Sequence, residues 1–116
     1  MTQITRLPAN ARMSAAAVVN GIVYTKGITA LGGPSDIEGQ TKWCLDLLDT
    51  LVTEAGSSKD NIIQIMIWLR DMDDFGAMNA IYDQWVLQGN QPVRACVEAR
   101  LAQPQLLIEI QALAAI

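Results

Sequence analysis

Two charged residues near the C-terminal end, Arg94 and Glu109, are of the types that bind carboxylates and transfer protons. From residue 93 to 101, apolar residues at odd positions alternate with mostly polar or charged ones at even positions, which predicts a strand with a dry face and a polar face. A second alternating run, residues 106–113, sets Glu109 between two isoleucines. By pattern alone, Arg94 is more typical of a solvated or salt-bridged surface residue than of a ligand-binding one. Glu109 likewise fits either an ion pair across an interface or catalysis.

Histidine is absent, which removes Ser-His-Asp and Cys-His nucleophilic schemes and the commonest metal ligand. The two cysteines, Cys44 and Cys96, are too sparse for a disulfide framework or a zinc-ligand spacing, so we expect reduced thiols. Cys44 lies in a helical apolar stripe and is predicted to pack in the core. No general base stands near Cys96 in the sequence, which disfavours it as a nucleophile. Carboxylates, arginines, backbone groups and water must therefore supply the chemistry, and we expect no metal or organic cofactor.

The composition predicts one domain, residues 1–116, that self-associates. Hydrophobic residues make up 51% and charged residues 17%, against about 25% charged in average soluble domains. The net charge of -4 and the lack of a basic cluster argue against a nucleic-acid partner. No apolar run is long enough to span a membrane, and the N-terminal residues lack the apolar core of a signal peptide. We expect a cytoplasmic protein.

The first half of the chain predicts three strands and a helix. Residues 3–7 form a short first strand, and residues 14–19 and 22–25 form a hairpin around Asn20-Gly21, a dipeptide typical of type I′ turns. Glycines then predict a flexible loop. A capping box of Ser35 and Glu38 is expected to open the first helix, which ends at Gly56.

The second half predicts strand, helix and two further strands. Residues 62–69 are almost continuously apolar, which is typical of a central strand covered on both faces. Asp71 is expected to cap the second helix. The element order predicts an α+β fold with a mixed six-stranded sheet and two helices packed on one face, in which the Arg94 strand runs parallel to residues 62–69. The buried stripe of the second helix is predicted to be Phe75, Met78, Ile81, Tyr82, Trp85 and Val86.

Three blocks resemble the reactive intermediate (enamine/imine) deaminase family, the RidA family: LRDMDDFGAMN at 69–79, PVRACVE at 92–98 and IEI at 108–110. The resemblance implies a chorismate-mutase-like fold, a homotrimer and ligand sites between subunits. It also implies that Arg94 binds a substrate carboxylate and that Cys96 contributes mainly backbone contacts. Glu109 would hold a water, Asn79 and Gly27 would line the pocket, and Arg94 and Glu109 would come from different chains.

The activity that this resemblance implies is hydrolytic deamination of 2-imino and enamine acids, such as 2-iminopropanoate, 2-iminobutanoate and 2-aminoacrylate, to 2-keto acids and ammonia. The alternative is a non-catalytic trimer that binds small carboxylic or keto acids as a sensor or scaffold. A ribonuclease or translation-inhibitor role is disfavoured by the negative charge. Residues 12–15 replace the Gly-Pro-Tyr found in the best-studied branch, and residues 26–28 replace its Ser-Gly-Gln. We therefore expect a roomier pocket that accepts imines larger than alanine's.

Overall fold

The computed structural model describes residues 2–116, which form a mixed sheet of seven strands and two α-helices. The strand order is β1-β2-β3-β7-β5-β6, with the two-residue β4 paired to β7. The α+β class is confirmed, and all six expected strands are present. The seventh strand, β4, lies where a flexible loop was expected. The elements are β1 Thr5–Pro8, β2 Ser14–Val19, β3 Ile22–Thr25, β4 Ile28–Thr29, α1 Ile37–Glu54, β5 Ile62–Leu69, α2 Phe75–Trp85, β6 Val93–Glu98 and β7 Ile108–Ala115.

The hairpin of β2 and β3 forms as the sequence predicts. Asn20 and Gly21 have φ angles of 52° and 76°, the pair of positive values that a type I′ turn requires. Val19 consequently pairs with Ile22 in an antiparallel ladder. Local turn chemistry is sufficient here to set the strand register.

The strand that carries Arg94 also pairs as predicted. β6 runs parallel to β5 and places Arg94 beside Ile65, whereas β7 runs antiparallel to β5 on its other side. The connection through α2 permits this parallel pairing, which a tight hairpin does not. β5 therefore separates the strands of Arg94 and Glu109.

Both helices begin differently from the expectation. Asp36, rather than Ser35, caps α1, because its carboxylate accepts a hydrogen bond from the Gly39 amide at 3.3 Å. The Ser35 capping box is wrong. Asp71 caps a single 3-10 turn, Met72–Asp74, that precedes α2. Among the described residues, no helix is both long and apolar enough to cross a membrane.

The core lies between the helices and one face of the sheet, and the other face, which we call the open face, carries no helix. On β5 the residues that point to the helices are buried, whereas Gln64 is exposed and Trp68 half-buried, so the expectation of cover on both faces is wrong for this chain. The expected dry face of β6 is also wrong. Val93 and Val97 are 65% and 42% exposed because they point to the open face. The Arg94 side of β6 faces α2 instead.

Candidate active site

Arg94 is held by α2 on the helix side of the sheet. Its Nη1 donates a hydrogen bond to Asn79 Oδ1 at 2.7 Å. Its guanidinium carbon lies 4.6 Å from the ring centroid of Tyr82 and 5.8 Å from that of Phe75. Asn79 and Tyr82 are three residues apart on a helix and so share one face. The charge is thus oriented by one hydrogen bond and by cation–π contact, while the side chain remains exposed at the sheet edge.

Cys96 lies two residues beyond Arg94 on the same side of β6. Burial raises the pKa of its thiol, and the nearby Arg94 charge only partly offsets this increase. Cys96 is therefore a protonated thiol at neutral pH, which suits packing and backbone contacts rather than nucleophilic attack. Cys44 is fully buried in the core as predicted, and burial raises its pKa to about 12. Within residues 2–116, no group of three or more His, Cys, Asp or Glu side chains is placed to hold a metal ion.

Glu109 lies on the open face of β7, against Gly27. A Cβ atom at position 27 would overlap the Glu109 carboxylate, so only glycine leaves room for the observed side chain. Glu109 is half-buried, and this burial raises its pKa. The ion pair within residues 2–116 is Lys42–Asp46, so Glu109 has no cationic partner in this part of the chain. A desolvated carboxylate of this kind holds its proton more readily than an ordinary glutamate.

Two side chains fix the segment that leads into β7. The buried amide of Gln40 donates to the Gln105 carbonyl at 2.9 Å and accepts from the Leu107 amide at 2.8 Å. The Arg70 guanidinium donates to the carbonyls of Leu106 at 2.7 Å and Gln103 at 2.6 Å. Four backbone groups are thereby satisfied just before Glu109, which gives its strand a defined start.

Sequence reasoning missed several of these positioning residues. Tyr82 is buried in the core stripe of α2 as predicted, and its ring also lies near Arg94. Phe75, predicted for the same stripe, is instead 39% exposed and lies near Arg94. The spacing of Asn79 and Tyr82 could have indicated a shared face toward Arg94. No sequence signal separates Gln40 or Arg70 from an ordinary polar side chain, because their partners are backbone carbonyls and an amide distant in the chain.

The predicted site residues form two groups on opposite faces of the sheet. Arg94 pairs with Ile65 and Glu109 pairs with Trp68, and residues three apart on β5 point to opposite faces. Two strand spacings separate β6 from β7 by about 10 Å, and three residues along a strand add roughly another 10 Å. One chain brings Arg94, Asn79 and Cys96 together, and brings Glu109 and Gly27 together. It does not bring the two groups to one ligand.

Comparison with known families accounts for nearly the whole chain. Residues 3–116 match the family model described as Endoribonuclease L-PSP. A RutC family protein of Haemophilus ducreyi is 36% identical over 113 residues, which cover 97% of this chain and 97% of the relative. The RutC family protein YoaB of Escherichia coli K12 is also 36% identical over 113 residues, covering 97% of this chain and 98% of the relative.

A solved structure supports the same assignment. NMB1025 from Neisseria meningitidis, a member of the YjgF protein family, superposes with a TM-score of 0.94 at 36% identity, over 97% of this chain and 94% of that protein. The chain therefore belongs to the YjgF/RidA family, also described as the L-PSP family.

Proposed function

We propose that this protein hydrolyses reactive 2-imino acids, formed directly or by tautomerisation of enamines such as 2-aminoacrylate, to 2-keto acids. In the balanced reaction, water adds to the C=N carbon, and the resulting carbinolamine loses ammonia to leave a C=O bond. The main support for this proposal is the orientation of the Arg94 guanidinium by Asn79 and Tyr82.

Arg94 is suited to bind the carboxylate that every 2-imino acid carries. Asn79 occupies one N–H group of the guanidinium, and the Tyr82 ring lies 4.6 Å from its central carbon. The rest of the fork stays available to a bidentate partner, and its orientation before binding reduces the entropy lost on binding. The neighbouring Cys96 would contribute backbone contacts to the same carboxylate.

Glu109 is suited to handle the water and the protons. Burial raises its pKa toward the range in which one group can accept a proton from water and return it to the leaving ammonia. The absence of a side chain at Gly27 leaves the space that the carboxylate occupies. We propose that Glu109 orients the water against the imine carbon and that Gly27 and Asn79 line the pocket around it.

A homotrimer would unite the two groups. Arg94 and Glu109 cannot share a small ligand within one chain, whereas an edge of one chain set against the open face of the next can place them together. The open face carries exposed apolar side chains at Tyr24, Val93 and Val97, an arrangement that favours cover by another chain. Each site in the proposed trimer would take Arg94 from one chain and Glu109 from its neighbour.

The family description names an endoribonuclease, but two features of this chain favour a small-molecule acid over RNA. The net charge is -4, and the sequence has no histidine to act as the acid or base of a ribonuclease. A sensor or scaffold that binds keto acids without turnover would use Arg94 equally well. Glu109 separates these two functions, because binding alone has no need of a proton carrier.

The proposal is tested by imine hydrolysis in the presence of the purified protein. An amino-acid oxidase generates the imine from alanine or 2-aminobutanoate, and an added nucleophile traps imine that escapes hydrolysis. We expect the protein to lower the trapped product and to speed keto-acid release in proportion to its concentration. An Arg94→Ala variant is the matched control, since it keeps Glu109. Keto-acid binding without faster hydrolysis would favour the sensor, and the absence of both would refute the proposal.

A further inference from the structure

The chain between β3 and β4 contains a β-bulge where both strands pair with β7. Tyr24 pairs with Leu113, and Ile28 pairs with Ile110. The chain advances four residues from Tyr24 to Ile28, whereas β7 advances only three between their partners. One extra residue on one strand defines a bulge, a feature that is common next to active sites. We call residues 25–27 the bulge.

The bulge decides which residue lies beside Glu109. One added residue reverses the side of the sheet to which the following side chains point. Ile28 is therefore buried on the helix side, and Gly27 lies against the Glu109 carboxylate. If the register of β3 continued without a bulge, Ile28 would pair with Glu109 and Gly27 would face the helices. The space that the Glu109 carboxylate occupies thus depends on the bulge.

The side chain of Thr25 holds the bulge through two hydrogen bonds. Its hydroxyl accepts from the Ala112 amide at 3.0 Å and donates to the Lys26 carbonyl at 2.9 Å. Thr25 is only 3% exposed, so removing the hydroxyl would leave a buried amide without its acceptor. The hydroxyl takes the place that a backbone carbonyl would have in a regular ladder between β3 and β7.

Two further hydrogen bonds attach the backbone of the bulge to the strands on either side. The Gln111 side chain donates from Nε2 to the Thr25 carbonyl at 3.0 Å. The Lys26 amide donates to the Ala15 carbonyl on β2 at 2.9 Å. Lys26 forms no ion pair within residues 2–116, so its charge does not hold the segment in this part of the chain. Hydrogen bonds from Thr25 and Gln111 therefore fix the bulge against β7.

We propose that Thr25 and Gln111 are positioning residues, which hold the bulge so that Gly27 stays beside Glu109. This inference rests on the proposed function and adds two residues to it. Thr25 is buried and acts through the backbone, so loss of its hydroxyl should displace Gly27 relative to Glu109. A displacement of this kind should lower kcat by about 10- to 100-fold. Keto-acid affinity, which we assign to Arg94, should stay nearly unchanged.

The test compares kcat and keto-acid affinity in the wild-type protein and three variants. Thr25→Val replaces the hydroxyl with a methyl group of similar size, and Thr25→Ser keeps the hydroxyl and should retain kcat to within a few fold. Thr41→Val is the matched control, because the buried Thr41 hydroxyl donates to the Ile37 carbonyl at 2.8 Å inside α1. Its kcat should equal that of the wild type. Light scattering and thermal unfolding report assembly and stability.

A second readout does not depend on turnover. Burial raises the pKa of Glu109, and a carbon-13 NMR titration of its side-chain carboxyl measures this value. A displaced bulge admits water, so Thr25→Val should lower the pKa of Glu109 toward that of an ordinary glutamate. Thr25→Ser and Thr41→Val should leave it unchanged. Cys44, whose pKa is raised to about 12 by burial and by Glu109, stays protonated throughout this titration.

The outcomes separate this inference from the function on which it rests. Wild-type kcat and an unchanged Glu109 pKa in Thr25→Val overturn the positioning role, as does an equal loss of kcat in Thr41→Val. If the wild type hydrolyses no imine, the proposed function fails and the NMR titration alone decides between the same two results.

A variant that removes less of the bulge covers the case in which Thr25→Val does not fold. Gln111→Met keeps the length of the side chain and removes the hydrogen bond to the Thr25 carbonyl. It should lower kcat by about 2- to 12-fold and shift the Glu109 pKa in the same direction. Wild-type values of both quantities in this variant overturn the inference.

Discussion

Arg94 and Glu109 differ in the number of contacts that their charged groups make within a single chain. Arg94 has a hydrogen-bond acceptor in Asn79 and an aromatic face in Tyr82, both from α2. Glu109 has a glycine against it and no cationic partner within residues 2–116. The positive group is oriented before a ligand binds, whereas the negative group is desolvated.

This difference indicates that Arg94 and Glu109 have different roles, one in binding and one in proton transfer. An oriented and accessible cation favours a bound anion, and contributes the same energy to substrate and product. A carboxylate with a raised pKa is costly to keep charged, and this is useful when the group must exchange a proton during each reaction cycle. Arg94 should therefore control affinity, and Glu109 should control rate.

Glu109→Gln is expected to have the largest effect. It removes the proton acceptor and keeps the size, so turnover should fall by about 100- to 10,000-fold while keto-acid binding changes only a few fold. Burial raises the pKa of Glu109 above its ordinary value. Wild-type activity should therefore be lost as the pH falls through this raised pKa, because the protonated carboxyl can no longer accept a proton. That acidic limb should be absent from the residual activity of the variant. An intact trimer that turns over at a near wild-type rate would contradict the assignment.

Gly27→Ala should separate the position of Glu109 from its chemistry. The added methyl group overlaps the end of a flexible carboxylate side chain, which can move aside at little cost in stability. Displacement by about 1 Å can reduce turnover by roughly 100-fold. Thermal unfolding and steady-state kinetics are measured together, with Gly76→Ala as control because open space surrounds that glycine. Equal activity in the two variants would refute the positioning role of Gly27.

Arg94→Lys should lower keto-acid affinity and kcat/KM for the imine to the same extent, with kcat nearly unchanged. Lysine keeps the charge but lacks the planar fork that contacts Tyr82 and Asn79, so both quantities should fall by about 10- to 150-fold. Calorimetry with a keto acid and keto-acid release from imine measure them. A loss of turnover with unchanged binding would place Arg94 in the chemical step instead.

Asn79→Ala should have the smallest effect of the series. It removes one hydrogen bond to Arg94, and the Tyr82 ring still restrains the guanidinium, so keto-acid affinity should fall by about 2- to 12-fold. Asn79→Gln keeps an uncharged amide acceptor on the same face of α2 and should restore affinity to within a few fold. A defect of equal size in the glutamine variant would show that the hydrogen bond is not what matters.

The sequence predicts much of the fold because its signals are local. Asn20-Gly21 predicts the hairpin of β2 and β3. The apolar period predicts α1, and the connection through α2 predicts the parallel pairing of β5 with β6. β4 was missed because two residues among glycines carry no strand pattern. The alternation in β6 was recognised, but alternation does not say which side meets the helices, and Val93 and Val97 prove to lie on the open face.

The candidate site was predictable only in part. The resemblance supplied Arg94, Asn79, Glu109 and Gly27, and the structure places them in two pairs. The aromatic contact of Tyr82 with Arg94 depends on how α2 sits over β6, which no local pattern encodes. The separation of the pairs depends on strand order, because β5 lies between β6 and β7.

The proposed homotrimer and its two-chain site are tested most directly by mixing Arg94→Ala and Glu109→Gln chains. Each variant alone lacks one group in every site. A site that takes Arg94 from one chain and Glu109 from its neighbour is restored wherever a Glu109→Gln chain supplies the arginine and an Arg94→Ala chain supplies the glutamate. After co-refolding at equal amounts, random assembly should restore about a quarter of wild-type imine hydrolysis. Activity no greater than the average of the two parent variants, in trimers shown to be mixed, would contradict a site shared between chains.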